Sequence, residues 1–127
     1  MTSPNKMRLL VVEDEYLVAT GLEAILQAAG YTVVGPVPGL EDALEAATGP
    51  PADLALLDVN LAGRQSYPVA DALSSRQVPF IFLTGCDGAD LPSRFAGIPV
   101  LIKPFSPDGL LLAVGRALGK KGTAIAL

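Results

Sequence analysis

The feature that most constrains the fold is an apolar run, Leu54–Leu57, that ends on the carboxylate of Asp58. The residues that follow include Asn60 and Gly63, which are typical of a loop. This pattern predicts a buried parallel strand with an acid at its carboxyl end. Because open α/β sheets bind ligands beyond the carboxyl ends of their strands, we expect Asp58 to lie in the functional site.

Three other apolar runs of the chain also end on polar side chains. The acids Glu13 and Asp14 follow the first of these runs. The hydroxyl of Thr84 follows the second, and the amine of Lys103 follows the third. If the four runs are parallel strands of one sheet, their ends meet at one edge. The sequence therefore predicts a site with three carboxylates, a hydroxyl and a cation.

Strand-like runs alternate five times with segments of helical periodicity. The predicted strands are 9–12, 32–37, 54–58, 80–83 and 100–102, and the predicted helices are 15–29, 40–47, 69–76 and 106–118. Four glycines and prolines in 85–97 predict only a short or irregular helix there, near 91–95, and 61–68 is predicted to be a loop. Such alternation predicts an α/β fold with a doubly wound, five-stranded parallel sheet.

The chain length suggests one domain, and Gly119 is predicted to end its last helix. We expect a flexible lead-in over residues 1–7, a single domain over 8–118 and a C-terminal tail over 119–127. Half of the 127 residues are apolar and 17% are charged, which suits a sheet covered on both faces and excludes a disordered chain.

The charge pattern argues against several classes of partner. The net charge is −4 and no cluster of basic residues exists to neutralise phosphates, so neither a nucleic acid nor an anionic membrane is an expected partner. No apolar run approaches the roughly 18 residues of a membrane span. One cysteine, Cys86, permits no internal disulfide, and the chain has no histidine to act as a nucleophile or metal ligand. We expect a cytoplasmic protein.

The crowded carboxylates indicate a metal site. At ~4 to 5 Å and an effective dielectric of about 20, each pair of carboxylates repels by roughly 3 to 4 kcal/mol, which a divalent cation would relieve. Hard oxygen ligands without sulfur or imidazole favour Mg²⁺, or Mn²⁺, over Zn²⁺. Asp58 ends the most apolar strand and is the natural nucleophile toward phosphorus, with Lys103 and Thr84 placed to hold phosphoryl oxygens.

The four strand ends carry motifs that resemble the receiver domains of two-component response regulators. The motifs are Val11-Val12-Glu13-Asp14-Glu15, Leu56-Leu57-Asp58-Val59-Asn60-Leu61, Phe82-Leu83-Thr84-Gly85 and Lys103-Pro104-Phe105. The resemblance implies a flavodoxin-like (βα)5 fold in which Asp58 accepts a phosphoryl group from a sensor histidine kinase. It also implies that Asp14, Asp58 and the backbone carbonyl of Asn60 bind Mg²⁺, with Glu13 acting through water, and that the Lys103-Pro104 peptide is cis.

The sequence around these motifs is similar to that of stand-alone alphaproteobacterial receivers that pair with kinases of the HWE type. The similarity lies in the segments 58–63, 67–73, 78–80 and 82–85. The chain departs from the wider family at Val100, where an aromatic residue usually acts as a switch, and from the subgroup at Cys86 and Asp87, where a tyrosine is common. The resemblance also implies that Cys86 occupies a position that tunes phosphoaspartate hydrolysis, and the alternative interpretation, a small residue that fills a loop, stays open.

Three functions remain open at this stage. The first is a single-domain response regulator, monomeric or weakly dimeric, that binds an unknown downstream protein when phosphorylated or drains phosphoryl groups from its kinase. Apart from self-phosphorylation and self-dephosphorylation it would not be an enzyme. The second is a pseudo-receiver that binds partners without phosphorylation. The third is a phosphatase with an aspartyl nucleophile, although the chain lacks the cap and second acidic motif usual in such enzymes.

Overall fold

Five parallel strands form the central sheet of the computed structural model, which describes residues 7–85 and 90–121. The strands are β1 (Arg8–Val12), β2 (Thr32–Val37), β3 (Leu54–Asp58), β6 (Phe80–Thr84) and β7 (Val100–Ile102), in the order β2-β1-β3-β6-β7. The helices are α1 (Tyr16–Ala28), α2 (Leu40–Thr48), α3 (Tyr67–Ser75) and α4 (Pro107–Lys121). The predicted doubly wound sheet is therefore confirmed.

The pleat of the strands divides the core into two layers. Alternate residues such as Leu10 and Leu57 pack on one face with α2 and α3, whereas Leu9 and Leu56 pack on the other face with α1 and α4. All five residues of β3 are buried, because this strand lies at the centre of the sheet and is covered on both faces. The sheet thus holds the end of β3 in a fixed position.

The sheet register brings the predicted site residues to one edge. Val12 is paired with Leu57 on the adjacent strand, so the residues that follow them, Glu13 and Asp58, lie side by side. Asp58 is paired with Leu83 on its other side, and Thr84 is paired with Ile102. Glu13, Asp58, Thr84 and Lys103 are thus positioned by the pairing of residues in the strands that they end or follow.

The segment predicted as a loop after β3 contains a small hairpin. Its strands are β4 (Asn60–Leu61) and β5 (Arg64–Gln65), which pair antiparallel, and α3 begins at Tyr67 rather than Val69. Both residues of the connecting turn have positive φ, 53° at Ala62 and 89° at Gly63, as a tight hairpin turn requires. Alanine at the first position is an unusual turn residue, which is why the sequence did not suggest a hairpin.

The last helix and the fourth helical segment also differ from expectation. Helix α4 begins at Pro107 as predicted, and the Ser106 hydroxyl accepts the N–H of Gly109 at 2.9 Å, which caps the helix. It runs past Gly119 to Lys121, because one glycine lowers helix propensity by about 1 kcal/mol without removing a backbone donor. The predicted irregular fourth helix is a single 3-10 turn, Ser93–Phe95, in the described part of its segment.

Three interpretations fall on residues outside the described ranges. These are the lead-in before residue 7, the role of Cys86 and the tail after residue 121.

The conformation of Ala62 predicts a stabilising substitution. Asparagine tolerates positive φ better than alanine, so Ala62→Asn is expected to raise the free energy of unfolding by about 0.5 to 1 kcal/mol in urea denaturation. Ala24→Asn, at an exposed position within α1, is the control, and it should lower that free energy by about 0.5 kcal/mol. A decrease of similar size in both variants would contradict the left-handed turn at Ala62.

Candidate functional site

Three carboxylates converge at the carboxyl edge of the sheet. Glu13 and Asp14 follow β1, and Asp58 ends β3 beside it. One oxygen from each of the three side chains lies within 4.8 Å of the others. The structure therefore brings together the three acids that the sequence predicted to share a site.

Glu13 is almost completely buried and only partly compensated. Its Oε2 atom accepts the backbone N–H of Glu15 at 3.1 Å. Its Oε1 atom forms an ion pair with Lys103 Nζ at 2.9 Å, and Oε1 accepts no further hydrogen bond among the described residues. A buried carboxylate oxygen in this state retains capacity for a further cationic or hydrogen-bonding partner.

Lys103 is the cation that neutralises part of this cluster. It follows β7, and its backbone N–H donates to the Thr84 carbonyl at 2.7 Å; its peptide bond to Pro104 is cis, as expected. Its ammonium lies 3.1 Å from Asp58 Oδ2 and 3.5 Å from Glu15 Oε1, besides its contact with Glu13. Burial opposes the charged amine, but the ion pairs with Glu13 and Asp58 outweigh burial and raise the pKa of Lys103.

Asp58 has an environment that disfavours its ionised form. Burial, and then the neighbouring carboxylate of Glu13, raise the pKa of Asp58 to about 7, although Lys103 acts in the opposite direction. Among the residues that the structure describes, its second oxygen, Oδ1, accepts one long hydrogen bond, 3.4 Å from the backbone nitrogen of Asn60. One lysine therefore does not fully compensate the negative charge of this site.

These observations fit a divalent cation. The donor set consists of hard carboxylate oxygens, and one of them, Glu13 Oε1, is buried with no hydrogen bond beyond its lysine ion pair in the described part of the chain. The single ammonium of Lys103 does not balance the negative charge of the three acids. Mg²⁺ accepts a partial set of protein ligands because it retains several waters. The acids are therefore compatible with the predicted Mg²⁺ site.

The hairpin after β3 is attached to the acid cluster. Asp14 Oδ2 accepts the backbone N–H of Ala62 at 3.0 Å, and Asn60 Oδ1 accepts the N–H of Gly63 at 2.7 Å. The side chain of Asn60 is thus engaged within the turn. Its backbone carbonyl belongs to the short strand β4, next to Asp58.

Thr84 and Lys103 lie with Asp58 in an open cleft of about 700 Å³. The cleft also contains Asp14 and Asn60, so it includes five of the six predicted site residues, and Glu13 lies behind it. Sequence reasoning did not assign a role to several other residues of its wall. They are Glu15, Gln65, Tyr67, Asp90 and Leu91. Glu15 carried a sequence signal because it directly follows the acid pair, and Tyr67 because it begins one of the segments that resemble the receiver subgroup.

An aromatic cluster adjoins this cleft at Tyr67. The Tyr67 ring lies 5.6 Å from the Phe95 ring and 6.5 Å from the Phe82 ring, measured between centroids. Val100 packs against the same hydrophobic layer. Tyr67 thus contacts the cleft and the aromatic core, which also includes Phe80.

Comparison with known proteins now identifies the family. A family model described as the response regulator receiver domain matches residues 9–115. The chain belongs to the response regulator receiver domain family. Its members are signalling modules of two-component systems, which agrees with the resemblance drawn from the strand-end motifs.

Two receivers with solved structures resemble this one over most of its length. The solution structure of SdrG from Sphingomonas melonis Fr1 is 43% identical, with a TM-score of 0.79, and the match covers 91% of this chain and 98% of SdrG. The receiver domain of the sensor histidine kinase PA1611 from Pseudomonas aeruginosa is 29% identical, with a TM-score of 0.76, over 89% and 98% of the two chains. That structure contains a magnesium ion coordinated in its active site cleft.

Among the curated relatives is the transcriptional regulatory protein PdtaR of Mycobacterium tuberculosis. It is 31% identical over 117 residues, which cover 89% of this chain and 57% of PdtaR. The chain thus spans about half the length of the curated relatives it matches. Within the described residues, no helix is both long and apolar enough to cross a membrane.

The raised pKa of Asp58 predicts a pH-dependent effect of its substitution. The ordinary value is 3.8, so ionisation of Asp58 in the folded state costs stability, and this cost grows as the pH rises from about 4 to about 7. In EDTA at pH 8, Asp58→Asn is expected to raise the free energy of unfolding by about 1 to 3 kcal/mol, less than the full pKa difference because water enters the cleft. The gain should shrink at pH 5.

Urea denaturation at both pH values measures this effect. Asp108→Asn, which removes an exposed acid from the first turn of α4, is the charge-matched control and should show no comparable gain. Equal stability changes of Asp58→Asn at pH 5 and pH 8 would contradict the account of Asp58.

The acid cluster predicts stabilisation by Mg²⁺. At a tenfold excess over its dissociation constant, Mg²⁺ should add about 1.4 kcal/mol, or a few degrees in Tm, to the wild-type protein. Asp14→Asn should lose this gain, whereas Asp90→Asn, on the exposed wall of the same cleft, should retain most of it. Thermal denaturation with EDTA and with Mg²⁺ measures the difference, and equal gains in both variants would argue against the cluster as the binding site.

Proposed function

We propose that this protein is a response regulator in which Asp58 accepts a phosphoryl group from a sensor histidine kinase in a Mg²⁺-dependent reaction. The observation that carries the proposal is the environment of Asp58, a buried carboxylate between an acid pair and a lysine at the edge of the sheet. Membership of the receiver family supports it, since the same residues carry the family motifs.

In the proposed reaction, an oxygen of ionised Asp58 forms a bond to phosphorus, and the bond between phosphorus and the donor's leaving group breaks. The leaving group departs with the electron pair. Lys103, already 3.1 Å from Asp58, would turn its ammonium toward a phosphoryl oxygen, and the Thr84 hydroxyl would donate to another.

A bound Mg²⁺ would supply charge neutralisation for the acids and the phosphoryl oxygens. The residues proposed to hold it are Asp14, Asp58 and the backbone carbonyl of Asn60, with Glu13 acting through water. The oxygen cluster and the magnesium ion in the cleft of the PA1611 receiver domain support this assignment. Mn²⁺ has similar ligand preferences and is expected to substitute.

The proposed output is either phosphorylation-dependent binding of a downstream protein or removal of phosphoryl groups from the kinase. The likeness to SdrG extends over 98% of that chain, which supports a role for this receiver domain in signalling. We propose that residues 8–118 form the receiver domain. The protein would be cytoplasmic and monomeric or weakly dimeric, and it would not bind nucleic acids directly.

Incubation with acetyl phosphate, with and without Mg²⁺, tests the proposal. Intact mass should show a single phosphoryl adduct that requires Mg²⁺, is absent in Asp58→Asn and persists in Asp53→Asn, a control at the opposite end of the β3 region. Lys103→Met should slow formation of the adduct, because it removes the ammonium nearest Asp58.

The other functions predict different results. Absence of any adduct, under conditions that modify a working receiver, would overturn the proposal and favour a pseudo-receiver. Sustained turnover of a generic phosphate ester, lost in Asp58→Asn, would favour a phosphatase.

A further inference from the structure

Glu15 is a carboxylate of the cleft that the proposed phosphorylation chemistry does not use. Its side chain is 64% exposed, and its Oε1 atom lies 3.5 Å from Lys103 Nζ. It lines the same cleft as Asp58, but it is not part of the cluster of three acids that could hold a metal. Glu15 therefore adds negative charge beside the lysine, on the wall of the cleft that contains Asp58.

Asp90 adds a second exposed carboxylate to the cleft wall. It comes from the segment before the 3-10 turn, whereas Glu15 comes from the start of α1. With Asp14 and Asp58, the described wall carries four acids and one lysine, and the buried carboxylate of Glu13 lies behind them. A divalent cation and Lys103 together leave the cleft negative when these acids are ionised.

We propose that Glu15, assisted by Asp90, is a specificity-determining residue that selects phosphodonors by the charge of their leaving group. The favoured class has phosphorus bonded to a protonated nitrogen, and the disfavoured class has phosphorus bonded to the oxygen of an anionic leaving group. The inference rests on the proposed function, because it concerns the donor that phosphorylates Asp58.

The two classes differ in charge but share one bond-forming step. With phosphoramidate, the oxygen of Asp58 bonds to phosphorus, the phosphorus–nitrogen bond breaks, and the protonated nitrogen leaves as neutral ammonia. With acetyl phosphate, the phosphorus–oxygen bond breaks and acetate leaves with the electron pair. Near neutral pH phosphoramidate carries one negative charge fewer than acetyl phosphate, and its nitrogen is positively charged until the phosphorus–nitrogen bond breaks, so a carboxylate at the cleft repels it less.

The exposed position of Glu15 limits the expected effect. Water and salt screen an exposed carboxylate, so its removal should change the acetyl phosphate rate by about three- to tenfold at low ionic strength. Loss of Glu15 also releases Lys103 from one partner, but that change acts on both donors. The ratio of the two rates therefore isolates the effect of donor charge.

The test measures the phosphorylation rate of the wild-type protein with acetyl phosphate and with phosphoramidate, in saturating Mg²⁺, by intact mass. Glu15→Gln should raise the ratio of the acetyl phosphate rate to the phosphoramidate rate by about three- to tenfold, and Glu15→Lys should raise it further. Asp90→Asn should raise it by a smaller factor. In about 0.5 M salt these differences should largely disappear.

Glu23→Gln is the matched control. Glu23 also lies on α1 and accepts a hydrogen bond from Gln27 at 3.4 Å, away from the cleft wall, and the substitution changes the net charge by the same amount. Its ratio should equal that of the wild-type protein. An unchanged ratio in Glu15→Gln and Glu15→Lys, or an equal change in Glu23→Gln, would overturn the inference while leaving the proposed function intact. No adduct from either donor in the wild-type protein would overturn both.

Discussion

The rest of the site depends on one incompletely neutralised group of buried charges. Glu13 and Asp58 are buried at the edge of the sheet, and both contact the ammonium of Lys103. Removal of two carboxylates and an amine from water is costly, and their mutual attraction repays that cost only with good geometry and further hydrogen bonds. Here the Glu13 Oε1 atom accepts no hydrogen bond from the described residues beyond its ion pair with Lys103, and the pKa of Asp58 is raised to about 7. The site therefore favours ligands that bring positive charge or that accept a hydrogen bond from the ammonium of Lys103.

The apolar sheet is what keeps these charges together. Like-charged side chains would separate in a flexible segment, but Glu13 and Asp58 directly follow the paired residues Val12 and Leu57, which are fully buried. Their separation would require these strands to lose contacts on both faces of the sheet, since alternate residues of β1 and β3 belong to both hydrophobic layers. The packing of the strands in the core thus holds the repelling carboxylates close together at the site.

Much of this arrangement was predictable because it is local in the sequence. The strands and the acids, hydroxyl and amine after them are recognisable from apolar runs and the residues that end them, and their convergence follows from the parallel sheet. The hairpin was missed because Ala62 is a poor sequence signal for a turn with positive φ. Gln65, Tyr67 and Asp90 line the cleft through tertiary packing of segments with little periodicity, and the raised pKa of Asp58 depends on burial that the sequence does not specify.

The aromatic residues show how packing compensates for a departure from the family pattern. Valine at position 100 is too small to fill the space that an aromatic ring on this strand would occupy. The hydrophobic layer that Val100 contacts is filled instead by rings from other elements, Tyr67, Phe80, Phe82 and Phe95. The turn that carries Phe95 is also attached to α3, because Arg94 forms two hydrogen bonds with Asp71, 2.9 and 3.0 Å long. Tyr67 stands at the start of α3 and lines the cleft of Asp58. Any rearrangement of the cleft that displaces Tyr67 must therefore also repack the ring of Phe95, so the site and this turn are mechanically linked without an aromatic residue on β7.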